Sequence, residues 1–328
     1  MRQPETGRSC LVHLSSGVGN IVLATPLLIA LDALGYIVDV CLDADYAQTA
    51  DLLRPWSVVR AVHTDGMASV ARRSRADVIV PAVPPFYWNR FAPLYRSMPG
   101  RRIVARPPDA LFSADEQAFY LQFAVSLGHT TGVRPVPTLP VAPLPDETRV
   151  GPDTVVIAPG CKTGTMASKR WPHFAALAER FDDVVVVGTG DDLRQHDGAP
   201  MRVPRHVRSF VDALTLRETA ELMAAAPVVV ANDSGLAHVA AACGVPTIML
   251  FGPTGHVCLG PLPPNATVVR MNLPCEPCWT TAPLGACRAR VDCLRMLEVD
   301  RVERAVRSVL DGDPVRALAG TAGGYGVE

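Results

Sequence analysis

The sequence predicts two doubly wound parallel α/β sheets joined by a proline-rich linker. Three observations predict it. Short β-branched runs alternate with helix-length segments in both halves, as in parallel sheets covered on both faces. The alternation stops between residues 133 and 152, where Pro135, Pro137, Pro140, Pro143, Pro145 and Pro152 disfavour helices and central strands alike, and then restarts. At 328 residues, 48% of them hydrophobic, the chain can fill two cores.

In the first half the spacing predicts a strand at 9–14, a helix from about 20 to 34, a strand at 36–42 and a helix near 46–54. Strands at 58–62 and 77–80 follow. Residues 84–108 mix aromatics, arginines and prolines without a clean period and read as loops around a strand at 102–105. A helix is expected at about 113–127. Phe86, Tyr87, Trp88 and Tyr95 either shape a binding surface or pack beneath a loop.

Beyond the linker, strands are expected at 154–159, 184–187, 228–230, 245–251 and 267–271. Helices are expected after Trp171-Pro172, at 215–225, from about Leu236 to Ala242, and at 300–310, the last amphipathic. Glu218 reads as a helix-start residue complementing the dipole. Residues 1–145 and 146–311 are the expected domains, with 312–328 a tail.

A formal charge of −1, from 31 basic and 32 acidic residues, supplies no general field for nucleic acid, so any anion recognition must be local. The polar start MRQPETGRSC carries no secretory leader pattern, and the apolar runs are interrupted by Asp32, Asp39, Asp233 and His238, unlike a membrane span. A cytoplasmic location is expected, with peripheral contact at the inner face of the membrane and self-association both compatible with the chain.

The segment 228–254, VVVANDSGLAHVAAACGVPTIMLFGPT, carries most information. Between two buried strands, Asp233 or Ser234 can cap a helix, and Gly235 permits close approach to its first-turn amides, Ser234, Gly235 and Leu236 among them. Unpaired N–H groups and the positive dipole end suit a phosphate. His238, one turn in, faces either that ligand or the helix–sheet packing. The loop 160–169 adds small hydroxyl residues, Thr163 and Thr165, and the mobile charge of Lys169. Asp191 and Asp192, just after a strand, can accept from ribose hydroxyls or cap the next helix. In the first half, Ser16, Gly17 and Gly19 form a small-residue loop at a helix start.

Asp233-Ser234-Gly235-x-x-His238, Gly244-Val245-Pro246-Thr247 and Phe251-Gly252-Pro253-Thr254 resemble the C-terminal signature of glycosyltransferase family 9, the ADP-heptose:lipopolysaccharide heptosyltransferases. Similarity extends to Thr215-Leu216-Arg217-Glu218, Lys169-Arg170-Trp171-Pro172, Gly17-Val18-Gly19-Asn20 and Thr25-Pro26. The resemblance implies a GT-B arrangement: two Rossmann-like domains facing a cleft, acceptor on the first and nucleotide-sugar donor on the second, with the final helix returning to the first domain. It implies an inverting transfer of a sugar, most plausibly heptose from ADP-heptose, to a saccharide, protein or small-metabolite hydroxyl, without a metal. It also implies that Lys169 contacts the donor phosphate and that Asp192, or failing that Asp191, meets the ribose.

The chain departs from the family at Asn20, where many members carry an aspartate proposed as catalytic base. Asparagine cannot accept a proton. Three explanations follow: another residue such as His13, Asp39 or Asp43 serves, the departing phosphate takes the proton, or the protein is a silent nucleotide-sugar or partner binder. A two-domain sugar-nucleotide epimerase shares the architecture with less support from these motifs.

Cys275-x2-Cys278-x8-Cys287-x5-Cys293 places four of the nine cysteines in a short loop where thiolates can close a tetrahedral zinc or iron site that leaves no position for substrate. Related autotransporter-modifying heptosyltransferases resemble this in carrying a four-cysteine iron finger. Reduced or disulfide-paired cysteines are the alternative. Cys10, Cys41, Cys161, Cys243 and Cys258 read mostly as small core residues.

Overall fold

The computed structural model describes residues 7–98, 102–130, 132–143, 150–195, 197–278, 287 and 291–312. The chain divides into two compact units: Met1–Val141 with Val257–Pro263, and Ala142–His256 with Pro264–Glu328.

The first unit holds β1 (Ser9–Leu14), β2 (Ile37–Leu42), β3 (Val59–His63), β4 (Val78–Val80) and β5 (Arg102–Ile103), all parallel in the order β3-β2-β1-β4-β5. The order reverses beside β1, so the loop after β1 lies at the topological switch point, where such sheets bind ligands. One core beneath the sheet joins Leu11, Cys41, Met67, Val70, Ile79, Phe91 and Tyr95. The segment Val257–Pro263 is tied to this unit by buried Gln117, whose Nε2 donates to the Leu259 and Pro261 carbonyls, each at 2.9 Å.

The second unit holds β6 (Val155–Ala158), β7 (Val184–Val186), β8 (Arg208–Ser209), β9 (Val228–Asn232), β10 (Thr247–Leu250) and β11 (Ala266–Val269). They are parallel in the order β11-β10-β9-β6-β7-β8, the doubly wound dinucleotide-fold order with its reversal between β6 and β9. All residues of β6, β9 and β10 are buried, which explains their unbroken apolar runs. Val302, Ala305 and Val306 of the helix Val299–Leu310 join Phe174, Leu177, Val228 and Ile248 in one core. The apolar stripe of this last helix thus lies in the second unit's core.

Four expected elements differ. The helix expected near 46–54 is a 3-10 turn, Ala44–Thr49, running into a short α-helix, Ala50–Leu53. The helix at 20–34 is two, Val18–Leu23 and Thr25–Ala33, because Pro26 at the start of the second lacks the N–H needed to continue the first. The helix at 113–127 likewise splits into Asp109–Ala114 and Glu116–Val125 around Asp115, which is extended and caps the Ala118 amide. Within 84–108 lies a helix, Pro85–Arg96: Pro85 occupies the first turn, where its missing N–H costs nothing, and Phe91, Ala92 and Tyr95 form its buried face.

Candidate functional site

At the second unit's switch point, β6 and β9 deliver two loops to one place. Asn232, fully buried at the end of β9, joins them: its Oδ1 accepts from Trp171 N at 2.9 Å and its Nδ2 donates to the Pro159 carbonyl. Arg170, also buried, spreads its guanidinium over the Asp191 and Arg194 carbonyls, each at 2.7 Å, and the Cys161 carbonyl at 2.9 Å. One planar cation thus fixes the loops after β6 and β7 through backbone oxygens, a use suited to arginine's rigid fork.

Asp233 follows Asn232. The helix Gly235–Ala242 has no side-chain cap, so neither Asp233 nor Ser234 plays the expected capping part. The Asp233 carboxylate, 5% exposed, instead takes Lys169 Nζ at 3.0 Å and Thr254 Oγ1 at 2.7 Å, with His238 Nε2 at 3.4 Å. Burial alone would favour its neutral form. The Lys169 charge first, then His238 and Thr254, outweigh burial and hold it far below the usual carboxylate range. The network gathers cationic and hydroxyl donors around the N-terminal turn of Gly235–Ala242, whose first amides, including Gly235 and Leu236, have no carbonyl one turn earlier to bond. His238 is buried and paired with Asp233.

Thr163 is exposed at the start of the 3-10 turn Gly164–Lys169; Thr165 lies in that turn, its side chain outside the described residues. Asp192 closes a capping box, its Oδ2 accepting from Thr189 N at 2.8 Å and Thr189 Oγ1 at 2.9 Å, while the exposed Asp191 stands 3.6 Å from Arg194 Nε. Glu218 closes a similar box with Thr215 at the start of Leu216–Ala224.

In the first unit, Gly17 precedes the helix Val18–Leu23, which contains Gly19 and Asn20. Buried Ser16 donates to Asn20 Oδ1 at 2.8 Å, and Asn20 Nδ2 donates to Glu116 Oε1 at 2.6 Å. His13, fully buried on β1, meets the Tyr95 hydroxyl at 2.7 Å through Nδ1 and Asp43 at 3.4 Å through Nε2. Asp43 also accepts from Ser15. Burial works against its charge, but His13 and Ser15 prevail and keep it below the usual range. Asp39 is held by Arg60. The alternative bases named from sequence are thus already engaged. Sequence reasoning missed Glu116, Asn232, Arg170 and Thr254; Arg170 and Thr254 stood inside quoted motifs, whereas nothing local marked Glu116.

The four cysteines share a neighbourhood. Burial raises the Cys278 thiol, with Cys287 and Cys275 adding to the effect, and burial followed by Glu276 pushes Cys293 up to about 12. Among the described residues no group of three or more His, Cys, Asp or Glu is placed to hold a metal, and 279–286 and 288–290 lie outside them. Four thiols suit zinc or iron by chemistry, but the described atoms do not form a closed site. Among the described residues no helix is long and apolar enough to cross a membrane. Cys10, Cys41 and Cys161 are buried; Cys243 and Cys258 are half-buried.

The family model described as glycosyltransferase family 9 (heptosyltransferase) matches residues 144–285. Over 123 residues the chain is 37% identical to lipooligosaccharide heptosyltransferase 2 of Haemophilus influenzae, covering 34% of this chain and 35% of that protein. Over 173 residues it is 26% identical to lipooligosaccharide heptosyltransferase 2 of Campylobacter jejuni, covering 49% and 52%. The chain thus matches about a third to a half of the length of these curated relatives. Among solved structures, E. coli ADP-heptose LPS heptosyltransferase II superposes with TM-score 0.69 at 21% identity, covering 93% of this chain and 99% of that one. The dodecameric iron-containing heptosyltransferase TibC, in complex with ADP-D-beta-D-heptose, superposes with TM-score 0.64 at 15% identity, covering 95% and 81%. The shared fold is the GT-B class of two parallel-sheet α/β units.

Proposed function

We propose, on the premise that residues 144–285 match the glycosyltransferase family 9 model, that the chain is an inverting glycosyltransferase that moves heptose from ADP-heptose to a hydroxyl of a lipopolysaccharide-type saccharide. The observation that carries this reading is the Asp233 network beside the helix Gly235–Ala242. A diphosphate seated on the amides of Ser234, Gly235 and Leu236 meets the helix dipole and the Lys169 ammonium, which has two donors left after Asp233 takes one. Charge developing on the departing diphosphate is stabilised there without a metal. Asp192 is committed to its capping box, so the ribose falls to exposed Asp191. Exposed Thr163 stands at the phosphate approach, and the Ser16-Gly17-Gly19 loop serves the acceptor side.

We also propose that Cys275, Cys278, Cys287 and Cys293 hold a structural zinc or iron. The raised thiols of Cys278 and Cys293, due first to burial and then to neighbouring acidic groups that include other cysteines, are support for it, because a bound cation would replace their protons. TibC, similar in fold, is described as iron-containing. Metal analysis after anaerobic purification tests this: about one equivalent is expected, and fewer than about 0.3 would reject the site.

Product analysis with ADP-heptose and heptose-free lipopolysaccharide tests the main reading. A new glycoside with released ADP is expected. An altered sugar nucleotide would favour an epimerase, and tight binding without product a silent binder.

A further inference from the structure

The first unit buries a carboxylate that its local sequence gives no reason to bury. Glu116 opens the helix Glu116–Val125, where an acidic residue ordinarily stays in water and complements the dipole, yet it is 5% exposed. Its Oε1 accepts from Asn20 Nδ2 at 2.6 Å and from the buried Tyr120 hydroxyl at 3.2 Å. Asn20 stands in the helix that follows β1, at the switch point of this sheet. Its carboxamide is used at both ends, accepting from Ser16 and donating to Glu116, so its orientation is fixed. Asp43 is held by His13 and Ser15 and Asp39 by Arg60, and neither meets Asn20.

We propose that Glu116 is the general base of the transfer and Asn20 its positioning residue, a proposal that rests on the glycosyltransferase reading above. In the step, the acceptor O–H bond breaks and its proton passes to a Glu116 carboxylate oxygen, directly or through one water. The oxygen's electron pair forms the bond to the anomeric carbon. The bond from that carbon to the donor phosphate breaks with its electrons, which leave on ADP. Glu116 becomes neutral as ADP gains the charge. The pairing also accounts for the amide at position 20. A second carboxylate at hydrogen-bond distance from Glu116 could not ionise freely beside it, whereas asparagine donates to the base and keeps it in place.

The test measures ADP release from ADP-heptose with heptose-free lipopolysaccharide from about pH 5 to about pH 9, alongside ADP binding by calorimetry. In Glu116→Gln, kcat is expected to fall about 100-fold or more and the acid limb of the rate profile to vanish, with ADP binding unchanged. The double variant Asn20→Asp/Glu116→Gln returns a carboxylate to the same spot and is expected to recover about 10-fold or more over Glu116→Gln. A Glu116→Gln enzyme that keeps its rate or its acid limb, or a double variant no faster than the single one, would overturn the proposal. Should Glu116→Gln not fold, Asn20→Asp decides alone: two carboxylates sharing a proton move the acid limb up by about one pH unit or more, and an unmoved limb overturns the assignment. Wild-type protein that binds ADP but never releases it from ADP-heptose refutes the transferase reading itself; an active wild type with a full-rate Glu116→Gln refutes only Glu116.

Discussion

Lys169 and Asp233 form a part-buried ion pair, Nζ to Oδ2 3.0 Å, that links the loop after β6 to the end of β9. The pair orders a flexible ammonium beside a helix N-terminus; Thr254 Oγ1 donates to the same Oδ2, and His238 Nε2 stands 3.4 Å from Oδ1.

Replacing Asp233 by Asn leaves Lys169 without its counter-charge and is expected to destabilise the protein by about 3–5 kcal/mol at neutral pH in urea unfolding. The sign of the pH dependence follows from a folded-state pKa below the unfolded value: Asp233 stabilises fully above about pH 4 and loses that contribution as pH falls further. The gap between wild type and Asp233→Asn is therefore constant from neutral pH to about pH 4 and narrows below it. A gap that fails to narrow between about pH 4 and about pH 2 contradicts the pairing.

Arg170→Lys removes a fork that reaches three carbonyls in two loops. Lysine, a point charge, cannot serve all three. A loss of about 1–3 kcal/mol is expected, with weaker ADP affinity because both loops border the donor site. Unchanged ADP affinity in calorimetry would separate the clamp from binding.

Gly160→Ala is expected to destabilise by about 1–3 kcal/mol. A Cβ at Gly160 would overlap the carboxyl of Asp192, which the Thr189 box pins in place. Thermal unfolding checks this, and Asp192→Ala in the Gly160→Ala background should recover part of the loss by clearing the overlap. No recovery would mean the strain lies elsewhere.

The strands were readable because their burial is two-sided: Val228, Val229 and Val230 have no polar face to interrupt the run. Helix ends were readable where a local box marks them, as Thr215 and Glu218 do. The helix Pro85–Arg96 was not, since Pro93 and the interleaved arginines break the apolar period although Phe91 and Tyr95 share its buried face. At the site, the sequence marks Asp233 as a donor-site residue or a helix cap but not its partners, because a local motif suggests a local hydrogen bond while Lys169 and Thr254 are 64 and 21 residues away. Glu116 was invisible for the same reason, 96 residues from Asn20. Sequence patterns reveal periodicity and short-range caps; long-range polar pairing requires the fold.

Lys169→Ala removes the mobile charge from the phosphate site and is expected to weaken ADP-heptose binding about 10- to 100-fold in calorimetry, and it also lowers stability because it leaves the buried Asp233 carboxylate without its counter-charge.

The most direct measurement is a crystal structure of the protein with ADP-heptose. The account predicts the diphosphate on the amides of Ser234, Gly235 and Leu236 with Lys169 Nζ within about 3 Å of a phosphate oxygen. A diphosphate bound elsewhere, with Lys169 still directed only at Asp233, would contradict it.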